Sequence, residues 1–412
     1  MTATSTQHPV RGLVRHRRVP CVVFVDDSRW AAFHQLSPLL RRAGVRTIRV
    51  CVGGRTGSRI ASRLVYDRCE VLRDAADTAG LRAILASERV IDFQYVEALG
   101  ALVRSGLDLL DHSVAARVRQ RLAIQDKLFA AELFAAAGVR TPAVVPVGAA
   151  SPEEIAALFG YPVVVKDRVG SAGANVVIAG DLDTLAAAVG SPAAVGVRRY
   201  YEQFVDGDKL NYAAAVSDAG REQELAYRVI GWRMPAGTAS EVQTIVDPQL
   251  VAIGRQAVEI AGCTGLMNMD VIRDHDGRDW LIDFNARAFG GAVCFQSADI
   301  DLSEGYLQAL GQRRAPVGRA TAVAGVRFPV FPTCLGAVIE RGSTRQIAAA
   351  FLREARPYRR WIGARYWLSE ALAIADAART SRRARRGDTP PSNPVPARVR
   401  AGTGAAQGDD TR

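Results

Sequence analysis

Two aspartates flank a turn signal late in the chain, and their spacing predicts a cation site. The dipeptide Asp276-Gly277 lies between two runs of alternating apolar residues, which favours a tight β-hairpin turn. A two-residue hairpin would place Asp270 opposite Asp283, with Asn285 on the same face. Facing carboxylates repel unless a cation neutralises them, and Mg²⁺ takes one or two carboxylates together with substrate phosphates. In a longer turn the register would slip by one residue, and one aspartate would face solvent.

Lysine is almost absent from this basic chain. Of its 53 basic side chains, 50 are arginine and three are lysine, namely Lys127, Lys166 and Lys209. Because a compact ammonium group differs from the planar guanidinium fork, a chain that otherwise uses arginine should retain lysine where a point charge is required. We therefore treat all three as candidate site residues, with ordinary surface lysines as the alternative.

A glycine-rich loop follows one of these lysines. The apolar residues 162–165 predict a buried strand that delivers Lys166, and Gly170, Ser171 and Gly173 come shortly after it. Successive backbone N–H groups in such a loop can turn towards phosphate oxygens. The strand, the lysine and the loop together predict a phosphate site.

Arginines near these motifs are candidates for binding oxyanions. Arg287 lies two residues beyond Asn285 on the same predicted face, where its guanidinium could reach a phosphate or a carboxylate. In the loop 228–240, Arg233, Gly237 and Ser240 are candidates for binding a substrate carboxylate or an amino-acid backbone. Arginine is so abundant here that solvated surface residues are the alternative.

The elements that carry these residues alternate between strands and helices. Residues 21–115 predict β–α–β units of a parallel α/β domain, and a helix is predicted over 121–137. A small α+β unit should follow over 144–205, and then an antiparallel set with one helix over 206–310. The segment 316–378 predicts a strand or two and then helices. Its predicted packing residues are Trp361, Tyr366, Trp367 and Leu368.

Composition and charge exclude several classes of protein. With 412 residues, 49% of them apolar, the chain can bury a large core, which excludes a disordered or disulfide-scaffold protein. The net charge is +11, but residues 1–20 and 379–412 carry +9 of it, so nucleic-acid binding should be nonspecific. The cysteines form no CxxC pair, the histidines lack metal-ligand spacing, and no long apolar stretch exists. We expect a soluble, cytoplasmic protein without a membrane partner.

The order of these motifs resembles that of the ATP-grasp superfamily and, within it, of the carboxylate–amine ligases. The resemblance spans roughly residues 120–310. Gln125-Asp126-Lys127 resembles the opening helix of the family, whose lysine contacts the nucleotide phosphates. Lys166 and the glycine-rich loop resemble the second phosphate lysine and the flexible lid. The resemblance therefore implies that Lys127, Lys166, Gly170, Ser171 and Gly173 bind ATP.

Two further motifs complete the resemblance. The segment 201–207 resembles the linker strand whose backbone, here at Gln203 and Val205, would bind adenine, with Glu202 nearby. Asp270, followed by Asp283-Phe-Asn285-Ala-Arg287, resembles the signature that holds two Mg²⁺ ions against the triphosphate, with Mn²⁺ as a substitute.

The sequence also departs from the family pattern. Both metal-binding acids are aspartates where many relatives have glutamate, and Asp167 replaces a common proline. Lys209 stands where many relatives place an acid for the ribose hydroxyls. Either Asp208 binds the ribose from one position earlier or Lys209 contacts phosphate, and a solvent-facing Lys209 is the remaining alternative.

The resemblance implies an ATP-dependent ligase that joins a carboxylate, an amino acid or peptide-like acid, to an amine. An acyl phosphate would form, and Lys166 and Arg287 would act as catalytic residues. The alternatives are a carboxylase of the biotin or carbamoyl-phosphate type and a non-catalytic ATP-binding regulatory module. The expected partners are small-molecule carboxylates and amines, with a homodimer as a candidate assembly.

The expected organisation is an N-terminal parallel α/β domain, a two-module α+β ATP-grasp fold, a helical C-terminal segment and a disordered tail. The expected limits are a basic disordered arm over 1–20, the N-terminal domain over 21–118, the small module over 119–205, the large module with the metal site over 206–330, the helical segment over 331–378 and the disordered basic tail over 379–412.

Overall fold

The structure is a computed structural model. It describes residues 19–27, 31–53, 62–170, 176–190, 198–232, 239–292, 294–312, 323–358 and 363–385.

A parallel sheet forms the N-terminal part of the chain, as predicted. Its strands are β1 Pro20–Asp26, β2 Arg46–Val52, β3 Arg68–Leu72 and β4 Arg89–Tyr95, in the order β3-β2-β1-β4. The helices α1 Ala31–Arg42 and α2 Thr78–Ala86 belong to the crossover connections. The sequence analysis did not predict β3, because this edge strand is mostly half-buried and lacks a continuous apolar run.

Three helices connect this sheet to the rest of the chain: α3 Gly100–Arg104, α4 His112–Ile124 and α5 Lys127–Ala136. The prediction of one helix over 121–137 is wrong, because the helix is interrupted at Gln125 and Asp126. The Asp126 side chain accepts a hydrogen bond from the backbone N–H of Phe129 and caps α5. This cap makes Lys127 the first residue of α5.

A small antiparallel sheet follows, within the residues predicted to form a small α+β unit. Its strands are β5 Val144–Pro146, β6 Val163–Asp167, β7 Val177–Ala179 and β8 Arg199–Gln203, in the order β5-β8-β6-β7. The helices of this part are α6 Pro152–Phe159 and α7 Leu182–Gly190. The α6 helix begins with a capping box between Ser151 and Glu154.

A larger sheet carries the predicted hairpin, and its paired strands are antiparallel. It contains β9 Gly207–Ser217, β10 Gly220–Trp232, β11 Ala239–Ile245, β12 Gly265–Asp274, β13 Asp279–Asn285 and β14 Arg327–Pro329, in the order β13-β12-β9-β10-β11-β14. The helix α8 Pro248–Ala261 is the predicted one, and a second helix, α9 Leu302–Ala309, was not predicted within 206–310.

Two glycines allow these helices to contact the sheet closely. A Cβ atom at Gly254 of α8 would lie 2.4 Å from the Tyr212 ring. A Cβ atom at Gly305 of α9 would lie 2.8 Å from the Cβ of Ala215. Because Tyr212 and Ala215 are three positions apart in β9, their side chains point to opposite faces, so the two helices cover opposite faces of the sheet.

The C-terminal segment is helical, as predicted, with α10 Gly336–Arg341, α11 Thr344–Glu354 and α12 Ala364–Arg385. Tyr366 is buried and Trp367 packs on four aromatic rings, but Leu368 is 54% exposed, so its prediction as a packing residue is wrong. Trp361 lies outside the described residues.

The last helix extends past the predicted start of the tail at 379, and residues 386–412 lie outside the described part, as do residues 1–18. Among the helices that the structure describes, none combines the length and the apolar character needed to cross a membrane.

A buried polar network joins the N-terminal sheet to the large sheet. Arg121 of α4 and the hydroxyl of Tyr306 in α9 both donate hydrogen bonds to Asp92 of β4. Gln94 donates to the Tyr306 hydroxyl over 3.0 Å and accepts from the backbone N–H of Ala288 over 2.7 Å. This network fixes the end of β4 beside the segment that follows β13.

Candidate active site

The predicted pair of aspartates is present in the hairpin of β12 and β13. The register places Asp270 opposite Asp283 and Asn268 opposite Asn285. Two carboxylates therefore face each other across the ladder, and Asn285 lies on the same face as Asp283.

The turn that produces this register differs from the prediction. The backbone N–H of Asp274 donates to the carbonyl of Arg278, and Gly277 has a φ of 77°, so the loop contains three residues rather than two. The longer loop shifts the pairing near the turn by one residue, but a β-bulge at Ile282 shifts it back before Asp283. The facing aspartates were predicted correctly because these two deviations cancel.

A third polar residue, Asn211, extends this row into the next strand. Asn211 of β9 lies opposite Asp270, and its side-chain amide donates to Asp270 Oδ1 and, over 3.2 Å, to the carbonyl of Met269. The amide oxygen of Asn211 is buried without a hydrogen-bond partner. The sequence analysis missed Asn211, since it lies 59 residues from Asp270 in the chain.

All three lysines of the chain form ion pairs with carboxylates of this region. Lys127 Nζ lies 2.9 Å from Asp283 Oδ2, and Lys209 Nζ lies 2.7 Å from Asp270 Oδ2. Lys166 Nζ, on β6, lies 2.5 Å from Glu202 Oε1 of β8 and donates to the carbonyl of Ile282 over 3.3 Å. The small sheet and the large sheet thus meet at this cluster. One of the three alternatives was a Lys209 that faces solvent, and the ion pair with Asp270 contradicts it.

Burial and charge shift the pKa values within this cluster in different directions. Burial would raise the pKa of Asp283, but the charges of Lys127 and Lys166 outweigh it and lower that pKa. Burial would likewise lower the pKa of Lys127, and the neighbouring Asp283 instead raises it. For Glu202 burial prevails over the attraction of Lys166, and the pKa of this carboxyl is raised. Asp283 and Lys127 therefore stabilise each other as ions.

The glycine-rich loop begins beside this cluster. The backbone N–H of Lys127 donates to the carbonyl of Arg168, which joins the start of α5 to the end of β6. Asp167, the departure from the family pattern, is paired with Arg199. Gly170 is described, whereas Ser171 and Gly173 lie outside the described residues, as do Arg233 and Gly237.

The predicted adenine segment follows β8. The backbone N–H of Gln203 donates to the carbonyl of Ala143, and Val205 is buried. Asp208 is exposed, and as the neighbour of Lys209 in β9 it points to the opposite face of the sheet. The structure does not bring Asp208 to the lysine cluster.

Arg287 is held by a residue that the sequence analysis missed. Its Nε lies 2.5 Å from Oε1 of Glu97, which follows β4 in the N-terminal part of the chain, and both side chains are buried. A terminal nitrogen of Arg287 also donates to Asn285 Oδ1 over 3.1 Å. A polar residue after the carboxyl end of a parallel strand was the available signal for Glu97.

The carboxylates suit a cation that takes further ligands from its substrate. Within the described ranges no group of three or more histidine, cysteine, aspartate or glutamate side chains could enclose a metal ion. Asp283 Oδ1, however, is buried without a hydrogen-bond partner, as expected of an oxygen reserved for a cation. Two aspartates and one asparagine fit Mg²⁺, which commonly completes its shell with waters and phosphates.

Comparison with known proteins relates one segment of the chain to a domain family. The sequence profile of the ATP-grasp domain matches residues 124–291, which include all three lysines and both aspartates. A search of curated proteins found no matching sequence.

Solved structures share the fold at low sequence identity. Carboxyaminoimidazole ribonucleotide synthase from Aspergillus clavatus, complexed with ATP, is 11% identical, with a TM-score of 0.59 over 73% of this chain and 78% of that chain. The biotin carboxylase domain of 2-oxoglutarate carboxylase from Hydrogenobacter thermophilus, a dimer with MgADP, ADP and bicarbonate, is 13% identical, with a TM-score of 0.59 over 76% and 74%. L-amino acid ligase from Bacillus licheniformis is 18% identical, with a TM-score of 0.54 over 73% and 78%. Residues 124–291 of this chain therefore match the ATP-grasp domain family.

Proposed function

We propose that the protein is an ATP-dependent ligase that joins a carboxylate, an amino acid or peptide-like acid, to an amine and releases ADP and phosphate. The observation that carries this proposal is the convergence of the three lysines on Asp270, Asp283 and Glu202 inside an ATP-grasp domain. Such a set of alternating charges suits a metal–nucleotide complex, because phosphates attract the lysines and the metal attracts the aspartates.

The residues of the cluster divide into two groups by charge. Lys127 and Lys166 are proposed to bind the phosphates of ATP. The part of the site that binds adenosine is proposed to consist of Glu202, Gln203 and Val205. Asp270, Asp283 and Asn285 would hold Mg²⁺, as two ions according to the family resemblance, with Mn²⁺ as a substitute. When bound, the metal ions would neutralise charge on the phosphates.

The glycine-rich loop and the residues beside Lys209 complete the proposed nucleotide site. Gly170, together with Ser171 and Gly173, would cover the phosphates. Asp208 remains a candidate for the ribose only if the segment around it rearranges, because its side chain points away from the cluster.

The proposed reaction follows from these charges. A carboxylate oxygen attacks the γ-phosphorus of ATP, the bond from that phosphorus to the β–γ bridging oxygen breaks, and ADP leaves. The amine then attacks the carbonyl carbon of the acyl phosphate, loses a proton, and expels phosphate to leave an amide. Lys166 would stabilise the transferred phosphoryl group, and Arg287 would stabilise the oxyanion that forms at the carbonyl.

A second candidate function uses bicarbonate as the carboxylate. Two of the similar structures are named for carboxylation, and the structure from Hydrogenobacter thermophilus contains bicarbonate. The L-amino acid ligase has the same fold and a similar TM-score, so fold alone does not choose between the two reactions.

Release of ADP measured against a panel of acids tests the proposal. Amino acids, dipeptides, hydroxy acids and bicarbonate are each supplied with and without an amine, and hydroxylamine is added to trap an acyl phosphate as a hydroxamate. We expect amine-dependent ADP release and a hydroxamate. Release that depends on bicarbonate would favour the carboxylase, and no release with any acid would favour a non-catalytic ATP-binding module.

The variant Asp283→Asn tests the metal site within the same assay. It keeps the shape of the side chain but removes the charge opposite Asp270, so we expect turnover to fall by at least about 100-fold. The matched control is Asp276→Asn in the exposed turn of the same hairpin, which should leave turnover unchanged. A fully active Asp283→Asn enzyme would contradict the proposed site.

A further inference from the structure

The two facing aspartates differ in how their oxygens are occupied. Asp283 keeps one buried oxygen, Oδ1, without a hydrogen-bond partner. Asp270 has both oxygens occupied, since Asn211 donates to Oδ1 and Lys209 lies 2.7 Å from Oδ2. A cation that binds Oδ1 of Asp283 therefore displaces no hydrogen-bond partner, but at Asp270 it must compete with an ammonium group.

The Lys209 side chain is placed so that it could move away from Asp270 Oδ2. This side chain is 20% exposed, compared with 18% for Lys127 and 10% for Lys166, so it is not enclosed on every side by protein. It lies on the same face of β9 as Asn211, next to the row formed by Asn211, Asp270 and Asp283. Because like charges repel, the ammonium group and a divalent ion cannot share Asp270 Oδ2.

On the basis of the proposed function, we propose that Lys209 is an exchangeable counter-ion. In the ligand-free chain it neutralises Asp270, and when the metal ion takes that carboxylate, the Lys209 ammonium moves to a phosphate oxygen of the nucleotide. Lys209 is thus a third phosphate-binding lysine, in a position where an acid was expected for the ribose.

The exchange couples the binding of metal and nucleotide. The three lysines and their three carboxylates neutralise one another in the ligand-free state. A metal ion alone would leave Lys209 without its carboxylate, and a nucleotide alone would have to draw the lysines away from their acids. Both ligands together give Asp270 the metal ion and Lys209 a phosphate oxygen as partners, so each ligand should strengthen the binding of the other.

The variant Lys209→Met separates this role from a structural one, because it should shift two affinities in opposite directions. Mn²⁺ binding without nucleotide, measured by the electron paramagnetic resonance of the free ion, should tighten about tenfold, because the competing ammonium is gone. Binding of ADP at saturating Mg²⁺, measured by calorimetry, should weaken about tenfold for loss of a charged hydrogen bond. A merely structural defect would weaken both.

The control is Arg255→Met, which removes a partly exposed cation on α8 that is paired with Glu224. It should change neither affinity. If Lys209→Met lowers both affinities, or changes neither while the wild-type chain binds ADP, the exchange is wrong and the proposed function stands. If the wild-type chain binds no ADP with Mg²⁺, the proposed function fails and the exchange fails with it.

Acetylation of the native chain tests the exchange without a variant. Because the chain has three lysines, mass spectrometry can follow each side chain separately. Mn²⁺ alone should increase the acetylation rate of Lys209 several-fold, and addition of ADP should then protect it. A Lys209 rate that does not respond to Mn²⁺ would overturn the exchange.

Discussion

Arg287 depends on a counter-charge from a distant part of the chain. Glu97 and Arg287 are almost completely buried and are separated by 190 residues in sequence. A buried ion with its partner removed is costly, since water cannot solvate it. The pair therefore fixes the guanidinium beside Asn285 before any substrate arrives.

The variant Glu97→Gln should destabilise the fold and displace Arg287. It leaves a buried guanidinium without a counter-charge, so we expect the free energy of unfolding in urea to fall by about 3 kcal/mol. In the double variant with Arg287→Gln the loss should be smaller than the sum of the two single losses, because the uncompensated charge is gone. Asp108→Asn, in the exposed pair with Arg82, is the control and should leave the urea midpoint unchanged. Additive losses would show that the pair does not couple.

At the scale of residues, the sequence predicted contacts that local geometry determines. Asp270 and Asp283 belong to one hairpin, so alternation and a turn signal were sufficient to pair them. Glu97 and Asn211 reach the site through contacts between distant segments, which no spacing rule in a single sequence can supply. The scarcity of lysine was informative for a different reason, because it selected three side chains by type rather than by position.

At the scale of elements, the start of a helix and the length of a turn decide where side chains point. The Asp126 cap divides the predicted single helix into α4 and α5 and makes Lys127 the first residue of α5. From this position the Lys127 side chain reaches Asp283. The Asp276-Gly277 signal marks a turn without distinguishing a three-residue loop from a two-residue loop, and the bulge at Ile282 has no strong sequence signal. The combined effect of the longer loop and the bulge preserved the predicted register, which shows that a correct pairing does not prove the assumed turn.

The contact between α8 and the large sheet predicts the effect of Gly254→Ala. A Cβ atom there would lie 2.4 Å from the Tyr212 ring, and the hydroxyl of that tyrosine is bound to Glu224, so the ring cannot easily move aside. We expect the free energy of unfolding to fall by about 1–3 kcal/mol, as in other overpacked cores.

Gly180→Ala is the matched control for this variant, because nothing lies within 4 Å of the position its Cβ would take. Both variants are compared by urea unfolding. Equal stability of the two would mean that α8 can shift away from the sheet without cost.

At the scale of the whole molecule, the fold class was predictable because it rests on periodicity within each segment. Alternating strands and helices predicted the parallel N-terminal sheet and the small α+β unit, and alternating apolar residues predicted an antiparallel set with one helix where the large sheet lies. How these parts contact one another was not predictable. The bond from Ala288 to Gln94 spans 194 residues, and the network around Asp92 uses polar side chains that sequence rules assign to the surface.

This network predicts that Tyr306→Phe will loosen the contact between the N-terminal sheet and the large sheet. The variant keeps the ring but removes a buried hydroxyl that donates to Asp92 and accepts from Gln94, which should cost about 1–3 kcal/mol. Hydrogen–deuterium exchange should therefore increase in β4 and α9 and remain unchanged in α7 of the small sheet, which lies away from the network. Tyr161→Phe, at an exposed tyrosine, is the control and should leave all three elements unchanged. Uniformly faster exchange in Tyr306→Phe would indicate global destabilisation instead, and would refute the assignment of the network to this one contact.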